Sequence, residues 1–184
     1  HSNLGTILQG LEKLKEAELS YHKAIEIKPD YADAHLNLGN ILKDLGKSQE
    51  AELSYLKAIK IKPNYAEAHH NLGNILSNLG NYNDALKLYN KAIELNNNFS
   101  TAKCCLIRYK GIICDWSDQE TQAKWMDKLG IEGSAISPLS VSYYDDDPLK
   151  DLKRAEKLYK ELYIRKSKPI TNFKNKKIHI GYFS

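Results

Sequence analysis

The sequence is short of several things that specific functions require. It has three cysteines, Cys104, Cys105 and Cys114, which are too few and too bunched for a disulfide framework. A reducing compartment, and hence a cytoplasmic location, is the expectation. No apolar run approaches the roughly 18 residues needed to span a bilayer, and mean hydropathy is −0.55. The first residues, His1-Ser2-Asn3-Leu4-Gly5, carry no basic and apolar signal regions and no initiator Met. The chain is therefore expected to begin inside a longer protein. Charge of one sign is also lacking: 27 Lys and Arg face 23 Asp and Glu, a net +4, mixed along the chain. A nucleic-acid binder would cluster its cations, so no nucleic-acid partner is expected. Hydrophobic residues make up 42% and charged residues 27%, within the range of a folded globular chain.

Reactive constellations are missing as well. There is no Ser-His-Asp set and no glycine-rich phosphate loop. His69 and His70 are adjacent, so on a helix they point about 100° apart and cannot share a metal. His35 and His69, on stacked helices about 8–10 Å apart, are also too distant for one tetrahedral site. Cys104 and Cys105 read as small buried residues. Asp145-Asp146-Asp147 reads as acids at a helix N-terminus. No catalytic residue, no metal and no cofactor is expected in these residues.

What is present is repetition. His1-Ser2-Asn3-Leu4-Gly5 returns as His35-Leu36-Asn37-Leu38-Gly39 and as His69-His70-Asn71-Leu72-Gly73, an offset of 34 each time. Residues 1–34 match 35–68 at 23 of 34 positions, and 35–68 match 69–102 at 16 of 34. Each unit reads as two helices. Leu38, Ile41, Leu42 and Leu45 lie on one face of a 3.6-residue period, and Gly46 breaks it. Ala51, Tyr55, Ala58 and Ile59 form a second stripe, ended by Lys62-Pro63-Asn64. The same pattern runs through Ala17, Tyr21, Ala24 and Ile25, and through Ala85, Tyr89, Ala92 and Ile93. Gly39, Ala51 and Ala58 allow close helix approach, and Tyr55 fills the larger gap. A helix pair of this size cannot bury its apolar face alone, so the units must stack.

The period, the Leu-Gly of the first helix, the Ala…Tyr…Ala of the second and the closing Pro resemble the tetratricopeptide repeat (TPR) over residues 1–102. His1, His35 and His69 replace the usual aromatic. The resemblance implies an all-α fold, a right-handed superhelix of antiparallel helix pairs, whose concave face is lined by the first helices and binds extended peptides. The residues flanking Leu-Gly on that face would be Asn3, Asn37 and Asn71, then Thr6, Asn40 and Asn74. A primary amide both donates and accepts. A row of amides could bracket a peptide backbone, or could bond to the neighbouring repeat and hold the stack. The candidate peptide-binding residues are Asn3, Asn37, Asn40, Asn71 and Asn74. The chaperone-binding TPR clamp resembles this face at the Asn positions but needs a cation ladder, and Ser2, Leu36 and His70 provide none. An acidic C-terminal peptide is therefore a poor candidate ligand.

The period fails after residue 102. Residues 103–130 are expected to be capping helices, with Ser117-Asp118-Gln119-Glu120 as a capping box opening a helix that runs through Trp125 and Leu129 to Gly130. Residues 131–147 read as a linker and 148–165 as a helix opened by Asp147-Pro148. Residues 166–184 read as a polar linker followed by a short strand at Ile178–Phe183. Cys114-Asp115-Trp116 behind an Asn-rich array, then Asp146-Asp147-Pro148 and Lys177–Ser184, resemble the junction into the catalytic region of O-linked N-acetylglucosaminyltransferase-like, SPINDLY-type proteins. That resemblance implies a substrate-recognition array whose parent enzyme uses a UDP- or GDP-sugar, truncated here at the first strand of the catalytic region. The alternative is a stand-alone TPR adaptor or scaffold. Both readings give a protein or peptide partner, and exposed repeat ends add the possibility of a homo-oligomer.

Overall fold

The computed structural model describes residues 2–10, 13–115, 117, 119–131 and 148–161. Seven helices form the array: α1 (Ser2–Gly10), α2 (Leu14–Ile27), α3 (Ala32–Asp44), α4 (Ser48–Ile61), α5 (Ala66–Asn78), α6 (Tyr82–Leu95) and α7 (Ser100–Ile112). Each packs on its sequence neighbours, α1 on α2, α3 on α4 and α5 on α6 within the units, and α2 on α3, α4 on α5 and α6 on α7 between them. Two shorter helices follow, α8 (Gln119–Met126) and α9 (Pro148–Tyr159).

The core is built from the recurring stripes. Ala17, Tyr21, Ala51, Tyr55, Ala58, Leu38, Ile41, Leu42, Leu72 and Ile75 form one continuous buried cluster. A second cluster joins Ala85, Tyr89 and Ala92 of α6 to Ala102 and Leu106 of α7. The glycine of each first helix is the seat for the tyrosine of the second. A Cβ built on Gly39 would stand 2.5 Å from Tyr55 Cε1, and one on Gly73 would stand 2.8 Å from Tyr89 Cε1. Gly46 and Gly80 serve a different purpose. They turn the chain between helices with φ of 77° and 80°, a region that L side chains avoid.

Several polar groups inside the array bond locally, while His69 Nδ1 and His70 Nδ1 are shielded and have no hydrogen-bond partner among the described residues. Ser20 and Ser54 donate to the carbonyls of Glu16 and Glu50, each at 3.0 Å. His35 Nε2 lies 2.9 Å from the Pro29 carbonyl, and His69 Nε2 lies 2.9 Å from that of Pro63. A carbonyl only accepts, so Nε2 carries the proton in both rings. These histidines, standing at the usual aromatic position, pin each first helix to the turn before it.

The expected terminal strand is corrected. No β-strand occurs among the described residues, and the fold is all-α throughout them. A strand needs a paired edge for its backbone groups, and no described element offers one. Residues 178–183 themselves lie outside the described residues, as does the linker over 132–147. The capping box also differs from expectation. Helix α8 begins at Gln119, and the Ser117 hydroxyl accepts from Lys110 Nζ at 3.3 Å. The helix ends at Met126, four residues before Gly130, which has φ of 75°.

Candidate functional site

The asparagines expected on the concave face fall into two rows that behave differently. In the second row, each residue meets the tyrosine of its own repeat. Tyr55 Oη donates to Asn40 Oδ1 at 2.9 Å, and Tyr89 Oη donates to Asn74 Oδ1 at 2.9 Å. Thr6 Oγ1 lies 3.0 Å from Tyr21 Oη in the first unit. The same acceptor then takes a bond from the next repeat. Asn71 Nδ2 donates to Asn40 Oδ1 at 2.9 Å, and Cys105 Sγ approaches Asn74 Oδ1 at 3.8 Å. Cys105 is the 34-residue equivalent of Asn71, so the chain builds one contact twice with different chemistry. These bonds stitch the stack together.

The first row is freer. Asn3 is exposed and Asn37 is half-buried, and neither side chain has a hydrogen-bond partner among the described residues. Asn40 Nδ2 and Asn71 Oδ1 are likewise left open after the ladder is made. The structure thus brings Asn40, Asn71 and Asn74 into a network of bonds between side chains and leaves Asn3 and Asn37 outside it. The dual role of Asn40 was hidden in the sequence. The spacing of 15 residues to Tyr55, repeated at Asn74 and Tyr89 and at Thr6 and Tyr21, is the signal that could have shown it.

His70 closes the row on the α5 side. Its ring packs 4.9 Å from Phe99 and 5.7 Å from Tyr89. Its Nε2 lies 3.1 Å from Asn74 Nδ2, which can only donate, so the proton sits on Nδ1 and the ring is neutral. Burial, helped by the charge of Lys43, lowers its pKa to about 4. Since the folded value lies below 6.5, the unfolded chain binds the extra proton between pH 6.5 and 4, and stability falls as pH drops through that window. The expected loss is about 1–3 kcal/mol by pH 4. Urea midpoints at pH 4.5 and 7.0 check it, and a His70→Gln variant should shift less between the two.

The adjacent thiols of Cys104 and Cys105 are packed inside and ill suited to chemistry. Burial pushes Cys104 up to about 12 and also raises Cys105. Cys114, with φ of 56°, forms a turn with Asp115 that closes α7. Asp115 accepts from the Ser117 amide at 3.0 Å and pairs with buried Lys110 at 3.3 Å. The Ser117 bonds, then Lys110, hold that carboxyl below its usual range. The Cys-Asp pair of the sequence motif therefore has a structural role here. No group of three or more metal-ligating side chains gathers among the described residues. No helix among them is long and apolar enough to cross a membrane.

Comparisons with known proteins agree with this architecture. A family model described as TPR repeat matches residues 5–46 and 39–80, and one described as tetratricopeptide repeat matches residues 66–99. No curated protein matches the chain. Among solved structures, the first TPR of Spaghetti (RPAP3), bound to the HSP90 peptide SRMEEVD, superposes with a TM-score of 0.60 at 22% identity, over 61% of this chain and 90% of that one. The MamA protein gives 0.61 at 19% identity, over 78% and 74%. The Arabidopsis OM64 TPR domain gives 0.59 at 23% identity, over 60% and 91%. At these identities the likeness is one of fold. Neither the family models nor these structures tie the chain to a glycosyltransferase. The matched repeats run without a break over residues 5–99, just over half of the chain, and on that ground it belongs to the tetratricopeptide-repeat family.

Proposed function

We propose that the chain is a peptide-binding adaptor module, in which the array over residues 1–102 holds an extended polypeptide and residues 103–130 cap it. The observation that carries this reading is the division of labour among the asparagines. Asn40, Asn71 and Asn74 rigidify the stack through their mutual and tyrosine bonds, while Asn37, Asn3 and the spare Asn40 Nδ2 and Asn71 Oδ1 stay available. An extended backbone has alternating carbonyls and amides, and primary amides complement both. A preorganised row of them binds with little loss of side-chain freedom.

A TPR of similar fold holds an HSP90 peptide, which supports an extended peptide as a class of ligand. The acidic C-terminal kind is not favoured here. Leu36 is buried at 3% exposure and His70 is neutral, so the row lacks the cations that a pair of carboxylates needs. The adaptor reading is preferred to the glycosyltransferase one. The comparisons support the repeats alone, and the Lys177–Ser184 motif lies outside the described residues.

The test separates binding from stacking. Asn37→Ala is expected to weaken capture of a neutral extended peptide, selected from a display library, about tenfold while leaving the melting curve nearly unchanged. Asn40→Ala is expected to destabilise the array by about 1–2 kcal/mol, because it strands the Tyr55 hydroxyl and the Asn71 amide. Peptide affinity by fluorescence anisotropy and stability by urea titration read the two effects. If Asn37→Ala lowers stability and spares binding, the concave row is structural only and the reading fails.

A further inference from the structure

The fourth helix pair breaks the rule that closes the other three. At the 34-residue interval, the glycine of the first helix becomes Ile107 in α7, and the tyrosine of the second becomes Ala123 in α8. With that close seat gone, α8 does not pack along α7 as α4 does along α3 and α6 along α5. A cleft of about 490 Å³ remains between α6, α7 and α8. Ile93 and Leu106, both buried, and half-buried Trp125 give it an apolar surface. Asn90, Asn97 and Gln122 add side-chain amides. Among the described residues of the lining Glu94 alone is charged, and it pairs with Lys91 at 3.0 Å.

Gln122 runs against the packing of the array. Its equivalent one repeat earlier is Leu88, which packs against the buried cluster of the preceding repeats. At such a position a leucine gains from burial, whereas a glutamine loses unless its amide is bonded. The Gln122 side chain is half-buried, and its Nε2 is shielded from water with no hydrogen-bond partner among the described residues. A shielded donor without a partner is destabilising and calls for an explanation. Choices that work against packing are the ones expected at functional positions. The terminal torsion of a glutamine is soft, so the amide can swing into the cleft once an acceptor is there.

We propose that this cleft binds an uncharged, extended stretch of a partner polypeptide. One aliphatic side chain of the partner lies against Ile93, Leu106 and Trp125, and a backbone carbonyl beside it accepts from Gln122 Nε2. The cleft has the size and make-up of a ligand site, about 300–1,000 Å³, mainly apolar, with a few polar groups that fix orientation. A chain of peptide units matches walls of amides, since each amide both donates and accepts. A charged ligand does not fit, because the lining offers an anion no cation and its carboxylate is already paired. None of the concave-row asparagines lines the cleft, so the site does not rest on the peptide-binding reading of that row.

Titration of the whole chain with N-acetyl-leucine methylamide tests it. This probe is a neutral single residue with two peptide groups, too short to span the concave row. Nuclear magnetic resonance of the Gln122 side-chain amide and the Trp125 indole reads this cleft by itself. Both signals are expected to shift and saturate together, and N-acetyl-aspartate methylamide is expected to shift neither. Gln122→Leu is expected to weaken binding at least about fivefold, read at the Trp125 indole, while raising the urea midpoint. The two effects have opposite signs, which a variant that merely loosens the fold cannot produce. A titration that does not saturate, undiminished binding by the Gln122→Leu protein, or a lower urea midpoint in that protein overturns the proposal. So does a wild-type dimer in sedimentation that Gln122→Leu dissociates, since a second copy is then the occupant.

Discussion

Gly39→Ala is expected to destabilise the array by about 2 kcal/mol or more, although alanine is the better helix former by about 1 kcal/mol. The added methyl would stand 2.5 Å from Tyr55 Cε1 and 2.7 Å from Cδ1. That ring cannot retreat, because it has no exposed surface and its hydroxyl is fixed to Asn40. The helices α3 and α4 must therefore separate. Separation exposes Leu38, Ile41 and Ala51, which share the same buried cluster. Gly73→Ala is expected to cost less, since its methyl would meet the Tyr89 ring at 2.8, 3.1 and 3.2 Å. Gly46→Ala has no steric neighbour within 4 Å and is expected to cost only about 1 kcal/mol, from its φ of 77°. Urea unfolding followed by helical circular dichroism gives the order. In a double variant with Tyr55→Leu, most of the Gly39→Ala penalty should vanish, because the two act on the same space. A Gly39→Ala protein as stable as wild type would refute the close approach of the two helices.

This contact explains why so much of the fold was legible in the sequence. The 34-residue period sets which side chains coincide, and a glycine facing a tyrosine at every turn of the repeat is a local rule that repeats without reference to the rest of the molecule. Tyr55 was readable as the filler of a gap. Its partner Asn40 was not, because a hydrogen bond across helices has no periodic signature beyond the interval of 15 residues. For the same reason the sequence left open whether the second row faces a ligand or holds the stack, and half of its bonding capacity belongs to the stack. Beyond residue 102 the repeats stop, and with them the legibility. The Ser117 hydroxyl, read as a helix cap, instead accepts from Lys110, a buried cation in the last turn of α7 seven residues before it, a contact that periodicity does not signal.

Helix α9 shows the same limit most sharply, and its loss is the other large effect expected. An amphipathic helix ordinarily docks through its apolar face. Instead Leu149, Leu152 and Tyr159 are 69%, 44% and 54% exposed, and the buried side chain is Arg154, with no exposed surface. Arg154 Nε donates to the Leu129 carbonyl at 2.9 Å, Nη2 to that of Met126 at 2.8 Å, and Nη1 to Asp151 at 3.0 Å. Lys157 donates to the Ile131 carbonyl at 2.8 Å. The carbonyls at the end of α8 are thus satisfied by cations from another helix, in the sense the helix dipole favours. Arg154→Met keeps the bulk but strands two acceptors, the buried Leu129 carbonyl and the part-buried Met126 carbonyl, which is expected to cost about 3 kcal/mol in the docking of α9. Little burial of Leu149, Leu152 or Tyr159 offsets that loss. Hydrogen exchange over residues 148–161 should quicken about a hundredfold while α2 to α6 keep their protection. Unaltered protection of α9 in the Arg154→Met protein would mean that its apolar side chains, and not the guanidinium, hold it in place.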